Sequence, residues 1–171
     1  EVDYVIVERD LPEGGTEKLI LAQALVEKVF RDEQVRIFET FKGKKLKGLR
    51  YRPLFTFLLP DKPAYFVILA DYVTTEDGTG LVHIAPAFGA EDLQASLEYD
   101  LSVLMTINED GTFIPDVRPW RGRFFKDADP DITKDLDARG LRWLESPALV
   151  HAPLADGRPA ALLDSPGQPG V

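Results

Sequence analysis

The chain has 171 residues, 44% of them apolar and 10% aromatic, so it can bury a hydrophobic core and its composition argues against disorder. Lys and Arg total 20 against 29 Asp and Glu, and the net charge of −9 argues against holding nucleic acid by bulk charge alone. The absence of cysteine excludes a disulfide framework and a thiolate metal site. No stretch resembles a signal peptide or membrane span, so we expect one soluble, cytoplasmic folded unit, and Glu1 in place of Met indicates a piece of a longer protein.

The N-terminal part predicts two strands separated by a helix. Val2–Glu8 is rich in β-branched residues, and its side chains alternate between two faces. One face carries Val5 and Val7, and the other carries Tyr4 and Ile6. After a Pro-Glu-Gly-Gly turn, the spacing of apolar residues up to Phe30 predicts a helix, with Thr16 as its N-cap. These residues are Leu19, Ala22, Leu25, Val26, Val29 and Phe30. The run from Val35 to Phe41 predicts a second strand.

Residues 42–52 form a basic stretch without a single acid. In an acidic protein this stretch is the best candidate for contact with phosphate groups. The candidate residues are Lys42, Lys44, Lys45 and Arg50. The alternative interpretation, which is slightly favoured, is a solvated strand edge protected by lysines.

The middle of the chain combines two predicted buried strands with glycines and a helix start. The apolar runs Tyr65–Ala70 and Leu81–Ala85 predict strands, the second interrupted by His83. Gly78-Thr79-Gly80 precedes it and allows positive φ and close backbone approach. Pro86 ends the second strand, and Gly89 opens a helix with Leu93, Leu97 and Ala90 on one face. Asp92 then falls in the first helical turn, where a carboxylate is favoured.

The C-terminal part predicts a hairpin, a helix and a last strand. Residues 108–111 read Asn-Glu-Asp-Gly between two apolar runs, which is typical of a hairpin. Residues 117–126 interleave cations, among them Arg121 and Arg123, with Trp120 and two phenylalanines; they predict either RNA stacking or core aromatics with solvated charges. Asp129-Pro130 predicts a helix start, with Ile132 and Leu136 on its apolar face and Gly140 at its end. Leu141–Leu144 is the last predicted strand. Short strands without regular βαβ alternation predict an α+β fold with a small barrel-like sheet and two or three packed helices.

Two segments carry a resemblance to a known family. Residues 71–92 read DYVTTEDGTGLVHIAPAFGAED, and residues 41–55 read FKGKKLKGLRYRPLF. Both resemble the editing domain of isoleucyl-tRNA synthetases, and the looser similarity runs from about Val2 to His151. Valyl and leucyl enzymes share the Gly-Thr-Gly motif and the closing aspartate but resemble PAHDxxD after the strand, and they lack a histidine at the position of His83.

The resemblance implies roles for these residues. Asp92 and His83 are the candidate catalytic residues: Asp92 would anchor the substrate's α-ammonium, and His83 would line the pocket and help to reject isoleucine without acting as a base. The substrate-binding set would be Gly78, Thr79, Gly80, Ala85, Pro86 and Phe88. For His83 a satisfied core histidine is the alternative, and Asp92 could instead cap its helix.

The resemblance also implies the domain plan and the partners. The editing domain would comprise residues 1–151 and lack a threonine-rich strand before Glu1, so the fragment could be inactive, and residues 152–171 would form a poorly structured tail. No cofactor or metal is implied here, since ATP and Mg²⁺ would serve the parent's synthetic site. The expected partners are the tRNA(Ile) acceptor end, the valine moiety and the rest of the parent synthetase, with no membrane.

The predicted function is therefore hydrolytic editing of mischarged valyl-tRNA(Ile), with valyl-adenylate as a second possible target. The alternatives are a non-catalytic module that docks tRNA or a protein, and the editing domain of a valyl or leucyl enzyme. Salt-sensitive tRNA binding without ester cleavage would favour the docking module.

Overall fold

The computed structural model describes residues 1–12, 14–76, 78–140, 149–151 and 161–163. The chain divides into two compact units, where its length predicts one. The first contains residues 1–52 and 66–83 with the last two strands, and the second contains residues 53–65 and 84–140. No helix in the described ranges has the length and hydropathy needed to cross a membrane.

The secondary structure confirms the α+β class. The strands are β1 (Asp3–Asp10), β2 (Thr16–Ala22), β3 (Arg36–Lys42), β4 (Leu149–His151) and β5 (Ala161–Leu163). The helices are α1 (Val26–Phe30), α2 (Ala90–Tyr99) and α3 (Phe125–Ala138), with short 3-10 turns at Gln23–Leu25 and Gly43–Leu46. The sheet and α1 belong to the first unit, and α2 and α3 belong to the second.

The five strands form one sheet in the order β3-β1-β2-β5-β4. β1 pairs antiparallel with β2 and with β3, whereas β2 and β5 run parallel. Over the described residues the sheet is open, with β3 and β4 as its outer strands, so the barrel-like sheet does not close. β5 lies inside the segment predicted to be a poorly structured tail, residues 152–171. The other residues of that segment and the predicted strand Leu141–Leu144 lie outside the described ranges.

The predicted alternation along β1 is confirmed, and both faces of this strand are covered. Val5 and Val7 are fully buried in one cluster with residues of β2 and Phe30. Tyr4 and Ile6 lie on the opposite face, in a second cluster that includes Phe41. Burial on both faces is the main source of stability for this part of the chain, because apolar area removed from water drives folding.

The helix predicted from Thr16 is wrong, because these residues form β2. Thr16 pairs with Asp10 in the ladder, so it is not an N-cap, and regular α-helix begins only at Val26. The Leu19–Ala22 run is buried at every position, which fits a strand covered on both faces. Such a run also satisfies helical spacing, so periodicity alone cannot separate the two structures.

The predicted strand Val35–Phe41 is confirmed as β3, with one irregularity. The register with β1 shifts between Ile6 and Val7, so Phe38 has no partner residue in β1. Ile37 and Phe38 are both more than half exposed. The ammonium of Lys18 lies 3.4 Å from the centre of the Phe38 ring.

The apolar run Tyr65–Ala70 does not form the predicted buried strand. It makes one isolated bridge, from Phe66 to Arg50, and the Val67 amide donates to the carbonyl of Leu49 at 2.9 Å. Tyr65 has φ +62°, which breaks an extended conformation. The run is therefore used for packing, with Val67 against the cluster around Tyr4.

The core of the second unit is built around Trp120. Its indole packs edge-on against Phe55 and Phe57, and Val117 and Ala128 are buried in the same cluster. The aromatic residues of this segment thus form core, as one of the two sequence interpretations expected.

Two predictions for the second unit concern local structure. The hairpin at 108–111 is confirmed as a turn, because the Asn108 amide donates to the Thr112 carbonyl at 2.8 Å and Ile107 bridges to Phe113. The helix start at Asp129-Pro130 is wrong, because α3 begins at Phe125 and Pro130 lies inside it.

The predicted apolar face and end of α3 are confirmed. Leu136 is buried and Ile132 packs on the Trp120 cluster. Gly140 follows the helix at φ +71°. The helix extends N-terminally past the cap-then-proline pattern, and the amide of Phe125, its first residue, donates to the Gly111 carbonyl at 3.0 Å.

Candidate functional site

The Gly78–Gly80 loop is fixed to the sheet of the first unit through its carbonyl groups. The Ala22 amide donates to the Thr79 carbonyl at 2.8 Å, and the Tyr4 hydroxyl donates to the Gly80 carbonyl. Thr79 is 1% exposed, so its side chain belongs to the interior. The loop is thus a tightly held part of the first unit.

Gly80 is required by a contact within the chain itself. Its φ is +75°, and a Cβ built there would lie 2.6 Å from the Cβ of Ala22. No real side chain tolerates that distance, so glycine is needed whether or not a ligand approaches. Gly78 also has positive φ, at +69°.

His83 does not lie in a buried strand, so that prediction is wrong. The residues from Leu81 to Ala85 form no regular strand, and only Leu81 is buried. His83 is exposed. The apolar run needs only Leu81 to reach the core of the first unit, so the interpretation of His83 as a satisfied core histidine is also wrong.

Ala85, Pro86 and Phe88 form a tight turn that leads into α2. The Phe88 amide donates to the Ala85 carbonyl at 2.8 Å, which places Pro86 at the second turn position, where its fixed φ is favourable. The Phe88 side chain is 54% exposed. The turn therefore presents an aromatic ring to solvent from a rigid backbone.

Asp92 lies in the first turn of α2, as predicted, and ties the helix to this turn. Its Oδ2 accepts the Ala85 amide at 3.0 Å. Ala85 lies outside the helix, so Asp92 does not cap α2; the residue at the N-cap position is Gly89. Within the described part of the chain, this is the one hydrogen bond that the carboxylate makes, and the residue is half-buried.

Gly89 leaves room for the Asp92 carboxylate. A Cβ at residue 89 would lie 2.9 Å from Oδ2 and 3.1 Å from Cγ of Asp92. The backbone of Gly89 is extended, with φ −138°, so its role is steric and not conformational. The absence of a side chain at Gly89 thus allows the Asp92 carboxylate to lie against the backbone of residue 89.

The predicted apolar face of α2 is not its buried face. Leu93 and Leu97 are 44% and 70% exposed, whereas Ala95 and Ser96 are buried. The large side chains of α2 therefore face solvent in this structure.

Three of the six candidate RNA contacts form ion pairs with acids. Lys42 binds Asp3 at 2.8 Å, and Lys44 binds Glu1 at 3.1 Å. Arg123 forms an ion pair with Asp131. Lys45, Arg50 and Arg121 are exposed. Because Lys42 ends an outer strand and pairs with a neighbouring acid, it fits the strand-edge interpretation.

The unit boundary follows His83, so the candidate residues lie in two groups. Gly78, Thr79, Gly80 and His83 belong to the first unit, and the Ala85–Asp92 turn belongs to the second. The described residues contain no cluster of three His, Cys, Asp or Glu side chains that is suited to hold a metal ion.

Sequence reasoning missed the residues that hold these groups in place. Tyr4 and Ala22 bind the loop carbonyls, and Gly89 accommodates Asp92. A buried tyrosine must find a partner for its hydroxyl, which is the one sequence signal that pointed to such a role for Tyr4.

No family model matches the sequence. Most of the chain is nevertheless similar to one segment of several curated enzymes. It is 44% identical over 150 residues to the isoleucine–tRNA ligase of Clostridium novyi, which covers 88% of this chain and 14% of the relative. It is 45% identical over 139 residues to the Thermus thermophilus enzyme, which covers 81% of this chain and 13% of the relative. It is 42% identical over 147 residues to the Streptomyces avermitilis enzyme, which covers 86% of this chain and 14% of the relative.

These relatives place the chain among the aminoacyl-tRNA synthetases of protein biosynthesis. Within that class it belongs to the isoleucine–tRNA ligase family. The chain spans only 13–14% of the length of these three relatives.

Proposed function

We propose that this chain is the editing part of an isoleucine–tRNA ligase and hydrolyses the ester of valyl-tRNA(Ile), with a contribution to clearing valyl-adenylate. Two observations support the proposal: membership of the family, and the 71–92 motif that resembles editing domains of isoleucyl enzymes. The substrate is the tRNA(Ile) acceptor end carrying valine, and the parent enzyme supplies the remaining tRNA contacts. ATP and Mg²⁺ serve the synthetic site of the parent.

An isoleucine enzyme needs a second site for energetic reasons. Isoleucine and valine differ by one methylene, which is worth only about 1–3 kcal/mol of binding free energy in a hydrophobic pocket. This enzyme class is the standard example of the weak selectivity that results. A synthetic site large enough for isoleucine therefore admits valine. A second site that hydrolyses only what is small enough to enter removes the error.

The geometry of Asp92 is the observation that carries the proposal. The Ala85 amide holds Oδ2 at 3.0 Å, and Gly89 lies against the same carboxylate, so its position is fixed before any ligand arrives. A carboxylate has about four acceptor sites on two oxygens. With one of them used in the described structure, Asp92 retains capacity for the α-ammonium of an aminoacyl group.

The proposed reaction is ester hydrolysis oriented by this anchor. Water adds to the acyl carbon, the bond from that carbon to the ribose oxygen breaks, and the ribose oxygen takes up a proton as valine is released. Asp92 contributes by holding the ester in one orientation, which is worth a large rate factor when the geometry is fixed. His83 is exposed, and we assign it no proton transfer.

The test is deacylation of valyl-tRNA(Ile) and isoleucyl-tRNA(Ile) by the chain and its Asp92 variants. We expect selective loss of the valyl ester. Asp92→Asn keeps an acceptor for the Ala85 amide but removes the charge, so it should fold normally and lose at least about tenfold in rate. Asp92→Ala removes both and should lose at least as much.

Glu91→Gln is the matched control, because Glu91 is also acidic, lies in the same helical turn and is exposed. It should retain full activity. Equal rates for Asp92→Asn and the parent chain would refute the anchor role, and equal cleavage of both esters would refute editing.

The docking alternative has less support from the structure. A tRNA-docking module would use the basic stretch, but Lys42 and Lys44 are already paired with Asp3 and Glu1. The proposal of an editing function is therefore preferred.

A further inference from the structure

Two consecutive carbonyl groups of the Gly78–Gly80 loop are bound by two residues that face each other across the sheet. Tyr4 and Ala22 are register partners in β1 and β2. The Ala22 amide binds the Thr79 carbonyl at 2.8 Å, and the Tyr4 hydroxyl binds the Gly80 carbonyl. Because the β1–β2 ladder fixes both donors, it also fixes the path of the loop.

The Tyr4 side chain is itself held in one position. The residue is 8% exposed, and a Cβ at Gly43 would lie 2.7 Å from Cε2 of its ring. The Gly43 amide donates to the Val2 carbonyl at 3.0 Å, which holds that residue beside the ring. Burial raises the pKa of the Tyr4 phenol, so the hydroxyl stays protonated and able to donate at neutral pH.

We infer that Tyr4 is a positioning residue: its hydroxyl, through the Gly80 carbonyl, sets the conformation of the Gly78–Gly80 loop. A phenylalanine ring at position 4 would fill the same place in the core cluster beside Ile20 and Leu81. The hydroxyl therefore serves the loop and not the packing. The link to catalysis rests on the proposed function and on the substrate-binding role that the resemblance implies for this loop.

Hydrogen–deuterium exchange of Tyr4→Phe tests the inference without any activity. The variant keeps the ring and leaves the Gly80 carbonyl without its donor. The loss of one hydrogen bond of ordinary strength should loosen the loop and speed exchange of the Ala22 amide, which donates to the Thr79 carbonyl, about threefold to tenfold. The other amides of β1 and β2 should exchange as in the parent chain.

Tyr99→Phe is the matched control, since it removes a hydroxyl from the last residue of α2 in the second unit. It should leave exchange of the Ala22 amide unchanged. Unchanged exchange in Tyr4→Phe would overturn the inference. So would a uniform acceleration across β1, β2 and the loop, because that would mark a general loss of stability.

Deacylation kinetics then test the link to the substrate. For Tyr4→Phe we expect the KM for valyl-tRNA(Ile) to rise about threefold to tenfold at nearly constant kcat, because the loop is displaced while Asp92 is untouched. Identical kinetics in variant and parent would overturn the link. If no variant and no parent chain cleaves the ester, the proposed function fails, while the exchange result still decides the role of Tyr4.

Discussion

Replacing Gly80 by alanine should destabilise the first unit strongly, and the structure lets the cost be divided into two parts. The first is conformational: φ is +75°, and an L-residue with a Cβ pays roughly 1–2 kcal/mol there. The second is steric, because the new Cβ would lie 2.6 Å from the Cβ of Ala22. Overpacking of this kind costs about 1–3 kcal/mol. The expected total is therefore about 2–5 kcal/mol.

Gly48→Ala is the control that isolates the conformational part. Gly48 lies in the same unit, has φ +79° and has no atom within 4 Å of a built Cβ. It should lose only about 1–2 kcal/mol. The two free energies of unfolding are measured by urea denaturation followed by far-ultraviolet circular dichroism.

A second-site change provides a sharper test of the steric part. Ala22→Gly removes the atom that the Gly80→Ala methyl group would strike. The double variant should therefore be more stable than the sum of the single effects predicts, by about 1–3 kcal/mol of coupling. If Gly80→Ala and Gly48→Ala are equally destabilising and the coupling is near zero, the close approach of the loop to Ala22 is refuted.

Three further predictions concern charged groups. Gly89→Ala should displace the Asp92 carboxylate from its position and lower the rate of the proposed deacylation about tenfold, with a loss of less than about 1.5 kcal/mol in a denaturation experiment. The hydroxyl and amide of Thr112 donate hydrogen bonds to Asp110 and lower the pKa of its carboxyl group. The free energy of unfolding should therefore fall as the pH drops from about 5 through this lowered pKa. Asp110→Asn should flatten that pH dependence, measured by denaturation at a series of pH values. Glu17→Ala should cost about 2–4 kcal/mol, measured as a lower urea midpoint, because it leaves the guanidinium of Arg9, 11% exposed, without its nearest partner.

Each of these predictions has a variant that separates it from a general effect. Glu91→Ala changes the same helical turn but leaves the contact between residue 89 and Asp92 in place, and it should preserve deacylation. Glu109→Gln alters a charge beside Asp110 and should leave the acid dependence unchanged. Glu33→Ala removes the second partner of Arg9. The Glu33 side chain is 58% exposed, so this change should cost less than about 1 kcal/mol. A cost for Glu33→Ala equal to that for Glu17→Ala would contradict the argument from burial.

The sequence was most informative where one structure alone fits the pattern. The alternation of Val5 and Val7 with Tyr4 and Ile6 has a period of two, which no helix satisfies, and β1 is found as predicted. The Gly89 start of α2 was also readable, because the first helical turn tolerates Asp92 well.

Prediction failed where distant pairing decided the structure. The Leu19–Ala22 run fits a helix or a doubly buried strand, and the choice depends on β1, which lies across a hairpin closed by Gly14 and Gly15 at φ near +90°. The start of α3 is likewise accompanied by a bond between the Phe125 amide and the Gly111 carbonyl. The glycine pair marks the turn, but nothing local in the sequence marks the pairing of Leu19–Ala22 with β1 or of Phe125 with Gly111.

The candidate site was readable as a set of residues but not as a set of contacts. Gly80 was expected to admit another backbone or a ligand, and the structure confirms the first, although the sequence did not identify the partner as Ala22 of β2. Asp92 was expected either to cap α2 or to bind a ligand, and the structure gives its carboxylate a third partner, the Ala85 amide. Motif reasoning names the residue types that a chemistry needs, whereas the tertiary contacts decide how each is held.

The interleaving of the two units along the chain restricts how the protein can be divided. The chain passes from one unit to the other after residues 52, 65 and 83, and it returns to the first unit for β4 and β5. A break after residue 60, for example, separates β1–β3 from Phe66–His83 and also separates residues 53–60 from α2 and α3. No single cut between residues 53 and 83 yields an intact half. Because β5 pairs with β2, ribosomal synthesis must deliver the chain up to Leu163 before the sheet of the first unit has all its described strands. A truncation after Gly140 should therefore remove β4 and β5 from the first unit and leave the second unit with all its described segments, whereas an internal nick at the 53–65 segment should unfold both, and limited proteolysis followed by gel filtration distinguishes the two outcomes.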